Sequence, residues 1–320
     1  MSTEREPSPS RLRRLAEELA EEGLALDPTL DSDALLLREI DNALRPPVHE
    51  RRTSSVGTFI GPTTDPEGWE SGTGLAMTRG PIGDLSLVDL RRFADGLSSW
   101  VMRHLDGSDE WVIFDRPTGS ERDLVILAEA LGATVVQRHP TGTVRVVGEV
   151  GVLRSEGLAW HHEPPVSRWV DELAACGAHG DPAVLRELLE FAVHDLGSRG
   201  VGAILVYRTT HEPASGVERR LPPPPPLQIR RATALGPLRH ALAQIDGAAV
   251  FDPDGKLVEL GSRLVPSAEA ERSVDGFQGM RHTSGRRYSS DDEAATVIVV
   301  SEDGPVSVFR KGELLGRSPD

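Results

Sequence analysis

Apolar positions recur with a helical period over residues 8–23, where Leu12, Leu15, Ala16 and Leu19 share one face. Ser10 is placed to cap that helix and Gly23 to stop it. The same spacing through Leu35, Leu36, Ile40 and Leu44 predicts a second helix over 31–44. From Pro46 to Pro81, Gly, Pro, Thr and Ser interrupt the pattern, and the segment reads as mostly loop. Ser86-Leu87-Val88-Asp89 has the form of a capping box and predicts a helix running to about Leu105. A short strand at Trp111–Asp115 follows, then a helix over Ser120–Leu131 and strands near Thr134–Arg138 and Thr143–Val147. This β-α-β-β order predicts a small α/β domain over 1–150.

Residues 151–179 read as a connection. Its His161-His162-Glu163 run invites a metal reading, but adjacent residues seldom point at one ion, so a solvated linker is the expectation. Beyond it, Asp181 and Pro182 open a helix whose apolar stripe is Leu185, Leu188, Leu189, Ala192, Val193 and Leu196, with Gly197 as its stop. Val201–Tyr207 is a buried-strand candidate. The prolines of 222–226 force an extended crossing, and helix returns over 232–245. Ala248–Phe251, the turn Asp252-Pro253-Asp254-Gly255 and Leu257–Val265 read as strand, turn, strand. A Gly- and Ser-containing loop runs to Gly279, and Thr296–Ser301 and Val306–Phe309 are the last strands. The second half, 180–320, is thus expected to be a mixed β-sheet flanked by helices, so the fold class is α/β in both halves.

Composition narrows the chemistry. The 320 residues carry 50 acidic and 35 basic side chains, a net charge of -15, which disfavours gripping a nucleic-acid backbone. Lys256 and Lys311 are the only lysines, and neither is followed by Ser or Thr, so there is no P-loop. A phosphate-handling site here would rely on Arg, His and backbone N–H groups. Cys176, the single cysteine, excludes an intramolecular disulfide and a multi-cysteine zinc site. The polar N-terminus and short apolar runs predict a soluble, cytoplasmic protein with no membrane association.

Three segments could carry chemistry. Asp246-Gly247-Ala248 sets a carboxylate at a helix-to-strand corner, beside small residues that let a ligand approach. Gly276–Arg287 leads two glycines into arginines, a histidine and hydroxyls at a helix start, which suits a polyphosphate. Val300-Ser301-Glu302 ends a strand in a hydroxyl and an acid. Each alone has a plainer reading: a turn, a surface salt-bridge face, a structural histidine.

In order and spacing together, the three resemble the motifs of the diadenylate cyclase domain: Asp-Gly-Ala, then Gly-Thr-Arg-His-Arg, then Val-Ser-Glu. They stand here as Asp246-Gly247-Ala248, Gly279-Met280-Arg281-His282-Thr283 and Val300-Ser301-Glu302, and Gly202–Val206 is similar to that domain's opening strand. The resemblance covers about 180–315 and implies an N-terminal sensor-like domain before it. Two positions depart from it: Met280 replaces the family's Thr, and Thr283 replaces an Arg, for which Arg286 or Arg287 could substitute one turn on.

The resemblance implies condensation of two ATP into cyclic di-AMP with release of two pyrophosphates. One ATP per site and a symmetric product imply a homodimer, or a higher oligomer, with face-to-face sites. It implies that Asp246 holds Mg²⁺ or Mn²⁺ and helps deprotonate the 3′-OH, with Glu302 a second ligand. Arg281 and His282 would act on the triphosphate with the N–H groups near Gly279, and Ser301, Met280, Thr283 and Arg286 would add contacts. Gly247, Ala248 and Leu264 would line the adenine and ribose pocket. DNA binding is not expected, because the chain stops at Asp320 without the helical region it needs in this family. The alternatives are a degenerate cyclase that binds nucleotide without condensing it, favoured by Met280 and Thr283, and a non-enzymatic interaction protein.

Overall fold

A computed structural model describes residues 7–46, 48–49, 52–61, 75–157, 159–175, 180–277 and 279–318. Cys176 lies outside them. The chain divides into two units, Met1–Pro165 and Val166–Asp320.

The first unit opens with helices α1 (Pro9–Glu21) and α2 (Asp31–Leu44) and the ribbon β1 (Val48–His49) with β2 (Arg52–Thr53). Then come β3 (Val56–Ile60), β4 (Met77–Pro81), α3 (Leu87–Phe93), β5 (Ser99–Arg103), β6 (Glu110–Phe114) and α4 (Glu121–Leu131). Strands β7 (Thr134–Arg138), β8 (Val144–Gly148), β9 (Gly151–Glu156) and β10 (Ala159–Glu163) complete it. The sheet order is β10-β9-β8-β7-β3-β5-β6-β4, with β3 and β5 parallel and the other pairs antiparallel. Period-2 alternation puts Val56, Val136, Val146 and Leu153 against Leu15, Leu19, Leu37 and Ile40 of α1 and α2. Phe59, Trp100, Val112 and Val135 face the opposite way, onto Leu124, Leu127 and Leu131 of α4. The result is a sheet between two helical layers.

This unit also buries charge. Glu39 accepts from Thr58 Oγ1 at 3.2 Å and from Arg91 at 2.6 Å, and also pairs with Arg103. Glu121 takes Arg154 in a two-bond fork at 2.5 Å, with Arg145 Nε 3.5 Å away.

Three expectations for this half need correction. The helix expected to reach Leu105 stops at Phe93, and β5 follows. Asp95 Oδ1 accepts from the N–H groups of Leu97, Ser98 and Ser99, and Gly96 sits at φ +69°, so a tight turn replaces the continuing helix. The Pro46–Pro81 segment, read as mostly loop, holds β3 at the centre of the sheet. Its Gly57 belongs in a strand because the Trp100 ring fills the space a side chain would need. The expected linker supplies β9 and β10, with Glu163 buried and His162 Nε2 hydrogen-bonded to Val150 O at 2.7 Å.

The second unit contains α5 (Val166–Ala175), α6 (Pro182–Glu190), β11 (Ala203–Arg208), β12 (Val217–Glu218), α7 (Ala232–Leu242), β13 (Ala248–Phe251) and β14 (Leu257–Leu264). It ends with α8 (Ala268–Ser273), α9 (Met280–Asp291), β15 (Ala295–Val300), β16 (Val306–Arg310) and β17 (Glu313–Arg317). Helix α6 is capped by Asp181, as its sequence predicts, and widens over Phe191–Leu196 into a π-helical turn. The sheet order is β12-β14-β13-β11-β15-β16-β17. Strands β11 and β13 are parallel, since α7 carries the chain back between them; the other pairs are antiparallel. Leu205, Ala249, Phe251, Ile298 and Val308 pack on α5, α6 and α7, while Ile204, Val206, Val250, Val297 and Val299 cluster with Tyr288 of α9. Among the described residues, no helix is long and apolar enough to cross a membrane.

Candidate functional site

Strand direction assembles the site. Parallel pairing of Ile204 with Ala248 brings the residues just before β11 and just before β13 to one end of the sheet. Antiparallel pairing of Ala203 with Val300 brings the residues just after β15 to that same end. Gly200–Gly202, Asp246 and Glu302 therefore meet, although they are far apart in sequence. Arg281, in the first turn of α9, joins them from above the sheet. The cleft is about 320 Å³ and is lined by Gly200, Val201, Gly202, the C-terminal end of α7 through Ile245, Asp246, Arg281 and Glu302.

Charge in the cleft is exposed and shared. Arg281 Nη1 donates to Glu302 Oε1 at 2.8 Å, and Nη2 lies 3.7 Å from Asp246 Oδ1. The Asp246 side chain is 92% exposed, Glu302 68% and Arg281 37%. Gly279 is the N-cap of α9, at φ +80°, and has no side chain with which to cap the first N–H groups of the helix. Those donors and the positive end of the helix dipole belong to the same first turn as Arg281.

The other expected site residues lie elsewhere. His282 is not among the lining residues: its ring packs on Phe277 and Phe309, with centroids 5.8 and 6.2 Å away. Burial, helped by Arg317, lowers its pKa and favours the neutral ring. Thr283 Oγ1 donates toward Phe277 O and Gly279 O at 2.9 and 3.0 Å and accepts from Phe277 N at 3.0 Å. That hydroxyl locks the loop entering α9. The guanidinium expected to stand in for the missing arginine is committed too. Arg286 Nε donates to Gly312 O at 2.8 Å, and Arg287 Nε to Val274 O at 3.2 Å. Met280 is 87% exposed. Ala248 and Leu264 are buried together in the core on the α9 side of the sheet. Gly247 sits at φ +116°, and a Cβ there would come within 2.6 Å of the Gly261 backbone, so β14 explains the glycine. Ser301 closes the β15–β16 turn, its carbonyl accepting from Gly304 N at 3.1 Å.

The sequence reading missed Gly200 and the end of α7 as cleft walls. A signal was present in Gly197-Ser198-Arg199-Gly200-Val201-Gly202, three glycines leading into an apolar strand.

Residues 190–314 match a family model described as DisA bacterial checkpoint controller nucleotide-binding. Over that span the C-terminal unit is similar to the diadenylate cyclase family. Residues 13–163 match a second family, described as Probable sensor domain DACNK. A diadenylate cyclase of Haloferax volcanii is 28% identical over 149 residues, which is 43% of this chain and 53% of that protein. The chain thus spans about half the length of that curated relative. A hypothetical membrane-spanning protein from Bacillus cereus aligns with 49% of this chain and 81% of its own, at 17% identity and a TM-score of 0.32. A double-cysteine variant of DacA from Staphylococcus aureus aligns with 48% and 88%, at 18% identity and a TM-score of 0.29.

Proposed function

We propose that the cyclase-family unit condenses two ATP into cyclic di-AMP with release of two pyrophosphates, and that the sensor-family unit adjusts its rate. The observation that carries this reading is the convergence of Asp246, Arg281 and Glu302 on one open cleft beside a helix N-terminus. Each of the three segments of the motif set contributes one charged group to it.

In each half-reaction a 3′-oxygen attacks the α-phosphorus of the other nucleotide in line. An O3′–P bond forms, the bond from that phosphorus to the bridging oxygen of pyrophosphate breaks, and the 3′-OH proton passes to a base. Asp246, at the cleft mouth, takes that proton. Arg281 and the first N–H groups of α9 hold the polyphosphate and meet the charge that develops on the leaving group. His282, whose ring packs on Phe277 and Phe309 and is not part of the cleft lining, steadies the start of α9. One cleft holds one nucleotide, so two protomers present their clefts to each other across a two-fold axis, and the active species is a homodimer or a higher oligomer.

The donor set fits a hard divalent cation, Mg²⁺ or Mn²⁺. Asp246 and Glu302 supply carboxylate oxygens that approach one guanidinium from two sides, and both are exposed enough to leave the ion its waters. When bound, the ion neutralises polyphosphate charge. The reaction belongs in the cytoplasm, where ATP is available, and needs neither DNA nor a membrane.

Incubating the full chain with ATP and Mn²⁺ or Mg²⁺, with mass spectrometry of the products, tests the reading. Cyclic di-AMP formed at a rate per protomer that falls on dilution is the expected result. A second reading, a nucleotide-binding domain that no longer condenses, is favoured by the committed Thr283, Arg286 and Arg287 side chains. ATP binding without product under either metal would select it, and no ATP binding would select an interaction protein.

A further inference from the structure

We propose that Gly197, Gly200 and Gly202 form a seat for the turn that carries Glu302, and that Gly202 is the positioning residue that lets Arg281 meet Glu302 inside the cleft. The nucleotide arm of its test rests on the condensation reading of this cleft; the geometry does not.

Each glycine faces a different part of one neighbouring segment. A Cβ on Gly197 would lie 2.7 Å from Gly304 O. Gly200 stands at φ +65°, and its Cβ would lie 3.0 Å from Glu302 O. A Cβ on Gly202 would collide with Arg281 Nη1 and come within 2.8 Å of Glu302 Cγ. The first two are pressed by backbone, so a side chain there has to move the β15–β16 turn. The third is pressed by the guanidinium tip of Arg281 and the Cγ methylene of Glu302, both in flexible side chains, and is not at a left-handed φ. A methyl group at 202 therefore leaves the fold in place and displaces the ion pair.

That displacement matters because, among the described residues, the carboxylates within 4.0 Å of the Arg281 guanidinium are Glu302 and Asp246. Its position over the bare Cα of Gly202 is what aims it into the cleft rather than across it. Losing that aim loses preorganisation for the ligand, a cost separate from stability.

The experiment compares the full-length wild type with Gly202→Ala, Gly200→Ala, Arg281→Ala and the double variant Gly202→Ala/Arg281→Ala. Gly202→Ala is expected to keep the wild-type melting temperature, while Gly200→Ala lowers it. In ¹⁵N–¹H spectra without nucleotide, the Arg281 side-chain signal, assigned by its loss in Arg281→Lys, is protected from exchange in the wild type and unprotected in Gly202→Ala. Calorimetry with Mg-ATP is expected to show affinity falling about 10-fold in Gly202→Ala, within the span of coupling between contacting residues. The same glycine change is expected to have no effect in the Arg281→Ala background. An unchanged Arg281 signal in Gly202→Ala overturns the proposal, and so does an equal loss of affinity in both backgrounds. Should the wild type bind no ATP while the spectra behave as expected, the seat stands and the condensation reading falls.

Discussion

The two units share a plan and differ in where they keep charge. Each sets a mixed sheet between helical layers around one parallel pair, β3 with β5 and β11 with β13. In the first unit, Glu39 and Glu121 are sealed in the interior, each answered by two arginines. In the second, the central strands are apolar on both faces, and Asp246 and Glu302 project from strand ends into solvent. Its buried carboxylates are answered by arginines as well: Asp195 by Arg239, and Asp292 by Arg208 at the other end of β11, where Asp292 also accepts from Tyr288. A buried, saturated carboxylate fixes packing and has nothing left to offer a ligand. An exposed carboxylate paired with a guanidinium at a cleft remains open to a ligand, because its ion pair is worth little in water. Charge at the sheet rim, rather than charge in the core, therefore marks the place for chemistry.

The sharpest way to break this contrast is to remove one charge of each kind. Glu39→Ala removes the buried carboxylate shared by Arg91 and Arg103, although Arg103 keeps Asp109, and is expected to cost about 3–5 kcal/mol of stability, read by chemical denaturation. Asp246→Asn removes the charge from a side chain that is 92% exposed and keeps its shape. It is expected to leave the melting temperature unchanged and to lower turnover by at least ~10²-fold in the ATP assay. A stability loss in Asp246→Asn, or none in Glu39→Ala, would erase the difference between core and rim. A smaller effect sharpens it: Ser120 forms a two-way capping box with Asp123 at the start of α4, and Ser120→Ala should cost about 1 kcal/mol.

Those expectations also trace how far the sequence can be read. Helices with strong apolar stripes and local caps were legible: Leu12, Leu15 and Leu19 in α1, Asp181 before α6, Ser120 before α4. Strand β3 was not, because Gly57 looks like a loop residue until Trp100, forty-odd positions on, is known to cover it. The end of α3 turned on Asp95, whose carboxylate gathers three backbone N–H groups, a local bond pattern stronger than the helical spacing beyond it. In the cleft, Asp246, Arg281 and Glu302 were legible as motif residues, and their convergence follows from strand direction. The carbonyl bonds of Thr283, Arg286 and Arg287 were not legible, because residue type shows what a side chain can bind, not which backbone carbonyl it already meets. Gly202 was read as the start of a strand and given no place in the site, since its role is an absence, visible when Arg281 and Glu302 occupy the space above it.

His282 gives the finest test, since its own environment differs from that of the adjacent Arg281. Burial beside Phe277 and Phe309 disfavours the imidazolium, and Arg317 adds repulsion, so the folded pKa lies below the ordinary 6.5. As pH falls through 6.5 the unfolded chain takes up the proton first, while the folded chain resists it. The stabilisation from a neutral ring is therefore complete above that value and is lost as pH falls from there through the folded pKa. His282→Phe cannot titrate, and its stability should fall less between pH 7.5 and pH 5 than that of the wild type, measured by denaturation at each pH. Because Arg281 is charged throughout that range, nucleotide affinity should not track this curve. A wild-type affinity that rises as His282 takes up its proton would instead make the imidazolium a polyphosphate ligand, and would move the aromatic pocket of Phe277 and Phe309 from the packing of the helix start to the binding surface itself.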